Sequence, residues 1–227
     1  ERFFEEFGDA EDVFPAVLPH GAYTVSPENL RTAKEIADHH GALFCTHAAE
    51  TRAERADVES RYGRPVIRHL DHLGLLDERT VLAHCVHLDD EEIEILARTG
   101  TTAVHNPLSN LKLASGFARV PDMLEAKINV ALGTDGAISG NDLDMWMALR
   151  LAATIHKANT GRADAVSTTE AIHMATGAGA RALCAGDRIG SLEPGKFADM
   201  ILIDCQRPHA VPMFDPVTHL VLSTAKS

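Results

Sequence analysis

Leu43-Phe44-Cys45-Thr46-His47-Ala48-Ala49-Glu50-Thr51 is a short apolar run that ends on a histidine, with a carboxylate three residues later. The charged, alanine-containing segment Arg52–Ser60 follows as a helix would. The local expectation is a buried strand that delivers His47 and Glu50 to its C-terminal edge, where α/β folds place their chemistry. Taken alone, the stretch reads equally well as a satisfied buried histidine beside a helix-initiating glutamate. The surrounding chain decides between these readings.

Working outward, the same unit recurs. Phe14 to Leu18 is a strand leading into Pro19-His20-Gly21, and Ser26-Pro27 starts a helix that stops at His39-His40-Gly41, with Ser as N-cap and Gly as stop. Beyond the opening strand come helices to Tyr62-Gly63 and over Val66–Leu73. Val81 to His87 is a third strand carrying His84 and His87, and Asp89 caps a helix over Asp90–Ala97. Thr101 to Val104 is a fourth strand ending on His105, followed by a polar loop from Asn106 to Lys112. A short helix at Val120–Ala126 precedes a fifth strand, Asn129–Leu132, and Asp135. Asn141-Asp142 caps a helix from Leu143 to about Lys157, and two further helices follow Thr168. Strands alternating with helices predict a parallel sheet. Polar groups on five successive strand ends (His20, His47, His84, His105 and Asp135) favour a barrel, which gathers its strand ends around one cavity. No Gly-rich phosphate loop argues for a doubly wound sheet.

The formal charge of −12 argues against nucleic acid or an anionic membrane as partner. No run approaches the roughly 18 apolar residues of a membrane span, and no signal-peptide core is visible near Glu1. Cys45, Cys85, Cys184 and Cys205 form no C-x-x-C pair and read as buried thiols of a reducing, cytoplasmic compartment. Strand-end histidines with Glu50 and Asp135 are the ingredients of a metal-activated hydrolytic site. Imidazole and carboxylate suit zinc, while iron or manganese would tolerate the same groups. The remaining histidines, His39, His40, His69, His72, His156, His173, His209 and His219, are expected in surface or helix-end roles.

His47-x-x-Glu50-Thr51, Ala83-His84-Cys85-Val86-His87-Leu88, His105-Asn106-Pro107-x-Ser109-Asn110-Leu111-Lys112-Leu113 and Leu132-Gly133-Thr134-Asp135-Gly136, in this order, resemble the amidohydrolase superfamily. The chain looks most like the branch that holds methylthioadenosine/S-adenosylhomocysteine deaminases and triazine chlorohydrolases. The resemblance runs from Pro19-His20 through the Glu193–Asp199 turn, with Phe214–Val221 also similar.

It implies a (β/α)8 barrel, one divalent metal and hydrolytic release of ammonia from an adenosine derivative by metal-activated water. Triazine dechlorination and guanine deamination are the alternatives, so the implied partner is a small purine- or triazine-like molecule. By position, the resemblance makes His47 and Asp135 metal ligands, Glu50 the acid/base that shuttles a proton to a ring nitrogen, and His84 the residue that orients the water. Asp135 also takes the water's proton, His20 contacts the purine, and Glu50 and His84 join it in binding the substrate. His105, Asn106 and Ser109 fall in a family motif as loop-shaping residues. The family's His-x-His is absent from this chain, so two protein ligands remain where a catalytic zinc takes three.

We therefore expect the C-terminal part of a barrel, about strands four to eight, over residues 1–188, and the start of a composite β-sandwich domain over residues 189–227, with Asp199–Asp204 as a strand. The helix-like opening at Glu1–Phe7 and the closing Leu220–Ala225 fit a piece of a longer polypeptide. Such a chain alone would be catalytically silent, and its open strand edges are compatible with a homo-oligomer.

Overall fold

Five strands form one parallel sheet in sequence order, β1-β2-β3-β4-β5, in a computed structural model that describes residues 2–8, 10, 13–206 and 208–224, His209 by its backbone alone. The strands are β1 (Ala16–Val17), β2 (Leu43–Ala48), β3 (Thr80–His84), β4 (Thr102–His105) and β5 (Val130–Leu132). Parallel neighbours require a crossover, and each gap carries helix. α1 (Arg2–Phe7) precedes the sheet. α2 (Pro27–His39), α3 (Arg52–Tyr62), α4 (Val66–His72), α5 (Asp90–Thr99), α6 (Pro107–Lys112) and α7 (Val120–Glu125) lie between strands. After β5 come α8 (Ala137–Gly140), α9 (Met145–Thr160), α10 (Thr168–Ala175), α11 (Gly177–Ala182) and α12 (Pro216–Leu222). This is the arrangement of a partial (β/α)8 barrel.

Alternation along the strands assigns two faces. Phe44, Thr46 and Ala48 of β2 and Thr80 and Leu82 of β3 are buried beneath the helical layer, with Leu30, Ile67, Leu70 and Leu96 packed into the same core. Cys45, Val81, Val104 and Ala131 occupy the other face and line an apolar cavity of about 920 Å³. Met200, Ile201 and Ile203 form part of its far wall.

The helix starts follow local chemistry. Ser26, Thr51 and Asp89 accept from the N3 backbone N–H of α2, α3 and α5, satisfying donors that a helix start leaves open. The expected loop over Asn106–Lys112 is instead the short helix α6, because Pro107 at its first position fixes φ in the helical range. α9 begins at Met145 rather than Leu143: Asp144, not Asn141 or Asp142, accepts from the Trp146 N–H, and Asn141 is left-handed. β3 stops at His84, short of His87, where His84 and Cys85 take φ of 78° and 47°. The expected strand Asp199–Asp204 is not formed, since these residues have no strand beside them to complete a ladder. No β-sandwich strand occurs among the described residues 189–224. α12 packs back onto α9 and α10. Cys85 is buried, but Cys184 is exposed and Cys45 and Cys205 are half-buried, so the four thiols are not uniformly interior.

Candidate active site

The parallel register sets the C-terminal ends of the strands side by side. Gly21, in the turn after β1, bridges to His47 at the end of β2. The His20 carbonyl accepts from both the His47 backbone N–H (3.1 Å) and its ring Nδ1–H (2.6 Å). A carbonyl can only accept, so Nδ1 of His47 carries a proton, and it is Nε2 that presents a lone pair in the neutral ring. His20 is held in turn by Nδ1–H donation to the Thr24 hydroxyl (2.8 Å), which itself donates to Gly21 O. The His20 and His47 rings lie 5.0 Å apart.

His84 reaches the same place by a break in strand geometry. Alternation alone would send it to the face of Leu82, toward the helices. The left-handed backbone at His84 and Cys85 interrupts that alternation, and the ring lies nearly parallel to His47 with 5.5 Å between centroids. Nδ1–H donates to Asn110 Oδ1 (2.8 Å). Nε2 then faces two carboxylates, 3.7 Å from Glu50 Oε2 and 3.9 Å from Asp135 Oδ2. His84 is only 2% exposed, and both carboxylate side chains are largely covered. Glu50 also receives the Ser115 hydroxyl on Oε1 (3.3 Å).

Asp135 follows β5 in a left-handed turn. Its Oδ2 accepts from Ser109 (2.6 Å) and its Oδ1 from the Gly136 N–H (2.7 Å). Burial pushes this carboxyl up, but those hydrogen bonds and nearby His84 outweigh it and hold the group below the ordinary carboxylate range. Ser109 thus orients a chemical group as well as shaping the loop. Asn106 is buried against Gly133, where a Cβ would stand 2.4 Å from Asn106 Oδ1.

The structure therefore brings His20, His47, Glu50, His84 and Asp135 together. It does not bring His105: that side chain continues the helix-facing side of β4, fully buried, with Nε2 3.1 Å from His156 Nε2 of α9. His156 is a core residue and not the surface or helix-end residue expected. His69 is also buried, stacked 4.1 Å from the Tyr62 ring. Three contacts around the site were not singled out in the sequence: Asn110, Ser115 and Glu54. Asn110 lies inside the His105–Leu113 motif and Ser115 two residues past it. The signal for Glu54 is its capping-box spacing from Thr51.

Among the described residues, no three His, Cys, Asp or Glu side chains converge to enclose a metal ion. The donor chemistry nonetheless fits one. A histidine that gives one ring N–H to a backbone carbonyl and keeps the other nitrogen bare is arranged as metal-ligating histidines are. Asp135 adds a deprotonated carboxylate. The count among the described residues, two, is below the three of catalytic zinc.

The profile of the amidohydrolase family matches residues 2–225. A 5-methylthioadenosine/S-adenosylhomocysteine deaminase of Syntrophobacter fumaroxidans is 46% identical over 227 residues, 100% of this chain and 52% of that protein. Among solved structures, an adenosine deaminase from Xanthomonas campestris with bound zinc superposes with a TM-score of 0.95 at 37% identity, over 98% of this chain and 51% of that one. An atrazine chlorohydrolase from Arthrobacter aurescens complexed with zinc gives 0.87 at 28% identity, over 92% and 46%. The chain spans about half the length of the curated relatives it matches.

Proposed function

The chain belongs to the amidohydrolase family, and from that premise we propose that it carries the proton-handling part of the active site of a metal-dependent deaminase acting on adenosine derivatives of the methylthioadenosine or S-adenosylhomocysteine type. The observation that carries this reading is the placement of His84 Nε2 between the Glu50 and Asp135 carboxylates. His47 and Asp135 would hold a divalent cation, zinc by ligand type, which when bound supplies water acidified to a pKa of about 7.

The residues then divide the proton transfers among them. His84, fixed through Nδ1 by Asn110, orients the water. Asp135 takes a proton from the water and passes it to the departing amine. Glu50 delivers the other proton to the purine ring nitrogen as the C6–O bond forms, and the C6–N bond breaks to release ammonia. His20, beside His47 at the rim, contacts the purine. Residues 1–188 are proposed as the barrel portion and 189–227 as the opening of a second domain. No helix of the described residues is long and apolar enough to cross a membrane, and a cytoplasmic setting belongs to the same proposal.

The test is ammonia release by the full gene product, loaded with zinc, from methylthioadenosine and S-adenosylhomocysteine. Chloride release from a chlorotriazine with no ammonia from either nucleoside would overturn the reading in favour of the dechlorination chemistry of the atrazine-hydrolysing neighbour.

A further inference from the structure

Glu50 stands in a turn with little intrinsic preference for its shape. Ala49 before it is left-handed at φ 52°, a conformation that costs a non-glycine residue of order 1–3 kcal/mol and persists only where surroundings impose it. Two sets of contacts impose it here. From one side, the Ala49 carbonyl accepts the backbone N–H groups of Val86 (3.0 Å) and His87 (2.9 Å). From the other, Glu54 on the first turn of α3 folds back, its Oε1 accepting the Ala49 N–H (3.1 Å) and its Oε2 the Glu50 N–H (2.6 Å).

Glu54 is 4% exposed; its N–H donates to the Thr51 hydroxyl, while its carboxylate goes to the backbone of the turn. Burial pushes this carboxyl up, and the backbone N–H groups oppose that shift. A carboxylate is the one side-chain group of this size with two equivalent acceptors and no donor. Both are used.

The side-chain end of Glu50 is held separately. Ser115 donates to its Oε1 (3.3 Å), and the Ser115 carbonyl receives His87 Nε2–H (2.7 Å). Ser115 sits between left-handed Ala114 and Gly116, at φ of 56° and 126°. A side chain on Gly116 would meet Val86 Cγ1 at 3.2 Å and the His87 ring at 3.5 Å. The His87 ring therefore fixes a strained loop whose hydroxyl reaches the carboxylate.

We infer that Glu54 and Ser115 are positioning residues that hold Glu50, by its backbone and by its carboxylate respectively, beside His84 in the place from which it delivers its proton. The inference rests on the proton-shuttle role proposed for Glu50. Neither residue touches His47 or Asp135.

The experiment is steady-state deamination by the full, zinc-loaded gene product. Glu54→Gln replaces one acceptor by a donor facing a backbone N–H; Ser115→Ala removes one hydroxyl. Misplacing a reacting group by about 1 Å costs on the order of 100-fold in rate. We expect kcat to fall about 100-fold in Glu54→Gln and about 10-fold in Ser115→Ala. KM should stay within about threefold, because ground-state binding is untouched, with zinc content equal to wild type.

Loss expressed mainly in KM, or kcat within about twofold of wild type in either folded variant, overturns the inference. Should Glu54→Gln fail to fold, Ser115→Ala decides by the same criterion. A wild-type protein inactive on adenosine derivatives would instead refute the functional reading, and the two failures are distinguished by that control.

Discussion

His105 and His156 share a hydrogen bond 3.1 Å long inside the helical layer, and the Nδ1 of each ring has no partner among the described residues. Burial drives both away from the charged form, His105 well below its ordinary range and His156 to about 4. Unfolding returns His156 to about 6.5. Between those values the unfolded chain binds the extra proton, so the stability contributed by the neutral ring is complete above about pH 6.5 and is lost as pH falls toward 4. Urea denaturation at a series of pH values should show this decline, and His156→Leu should flatten it. At the reacting centre, Glu50→Gln should lower kcat by about 10²–10⁴-fold, the usual loss for a removed acid/base group, measured as ammonia release. Sequence reading reached His47, Glu50, His84 and Asp135 because the two histidines end apolar runs and the two carboxylates follow closely after one. It missed Asn110 and Ser115 because their parts depend on contacts made only when loops meet across the sheet, and Glu54 because its spacing from Thr51 reads as a helix cap, whereas its carboxylate holds the turn four and five residues back. It misplaced His156, since a polar ring at a core position of a helix carries no local mark of burial.

Between elements, α3, α4 and α5 are joined by a network of charged side chains. Arg55 on α3 donates to Glu92, to Asp89 (2.7 Å) and to the His87 carbonyl (2.9 Å). Glu92 is wholly buried and also accepts the Ile67 N–H of α4 (3.2 Å) and the Asp89 N–H (3.1 Å), while Arg68 of α4 reaches Asp89 (2.6 Å). Removing Arg55 would leave the Glu92 carboxylate buried with backbone donors alone. Arg55→Met should therefore destabilise by about 3 kcal/mol, the low end for a broken buried pair because Arg55 is partly open to solvent. Chemical denaturation would measure it. Sequence patterning identified each of these helices and the Asp89 cap, since propensity and capping are local. Asp199–Asp204 shows the converse. Its continuous apolar run, Met200 to Ile203, fits a strand, but strandedness needs a neighbour to pair with, and Met200, Ile201 and Ile203 instead wall the cavity beside the sheet.

For the molecule as a whole, five parallel strands leave β1 and β5 as outer strands, and the face bearing Cys45, Val81, Val104 and Ala131 opens on an apolar cavity. Unpaired edges invite further pairing. Expressed alone, these 227 residues should self-associate with rising concentration in light scattering and should retain less than one zinc per chain by elemental analysis. A monomer at every concentration with stoichiometric zinc would contradict this. The strand order and barrel class were readable from the alternation of strands and helices, whereas the path of residues 189–206 was not, because it follows from which surface remains uncovered.

Ala49, His84 and Asp135 all turn away from their strands through left-handed backbone, a region where glycine would sit without strain. Selection for folding stability alone therefore pulls these positions, and Cys85 beside them, toward glycine. At His84 and Asp135 that exchange would delete the side chains that meet Glu50 and the Ser109 hydroxyl. Laboratory evolution of this chain for heat resistance would thus meet its conflict with catalysis first at the strand ends, before any change in the core.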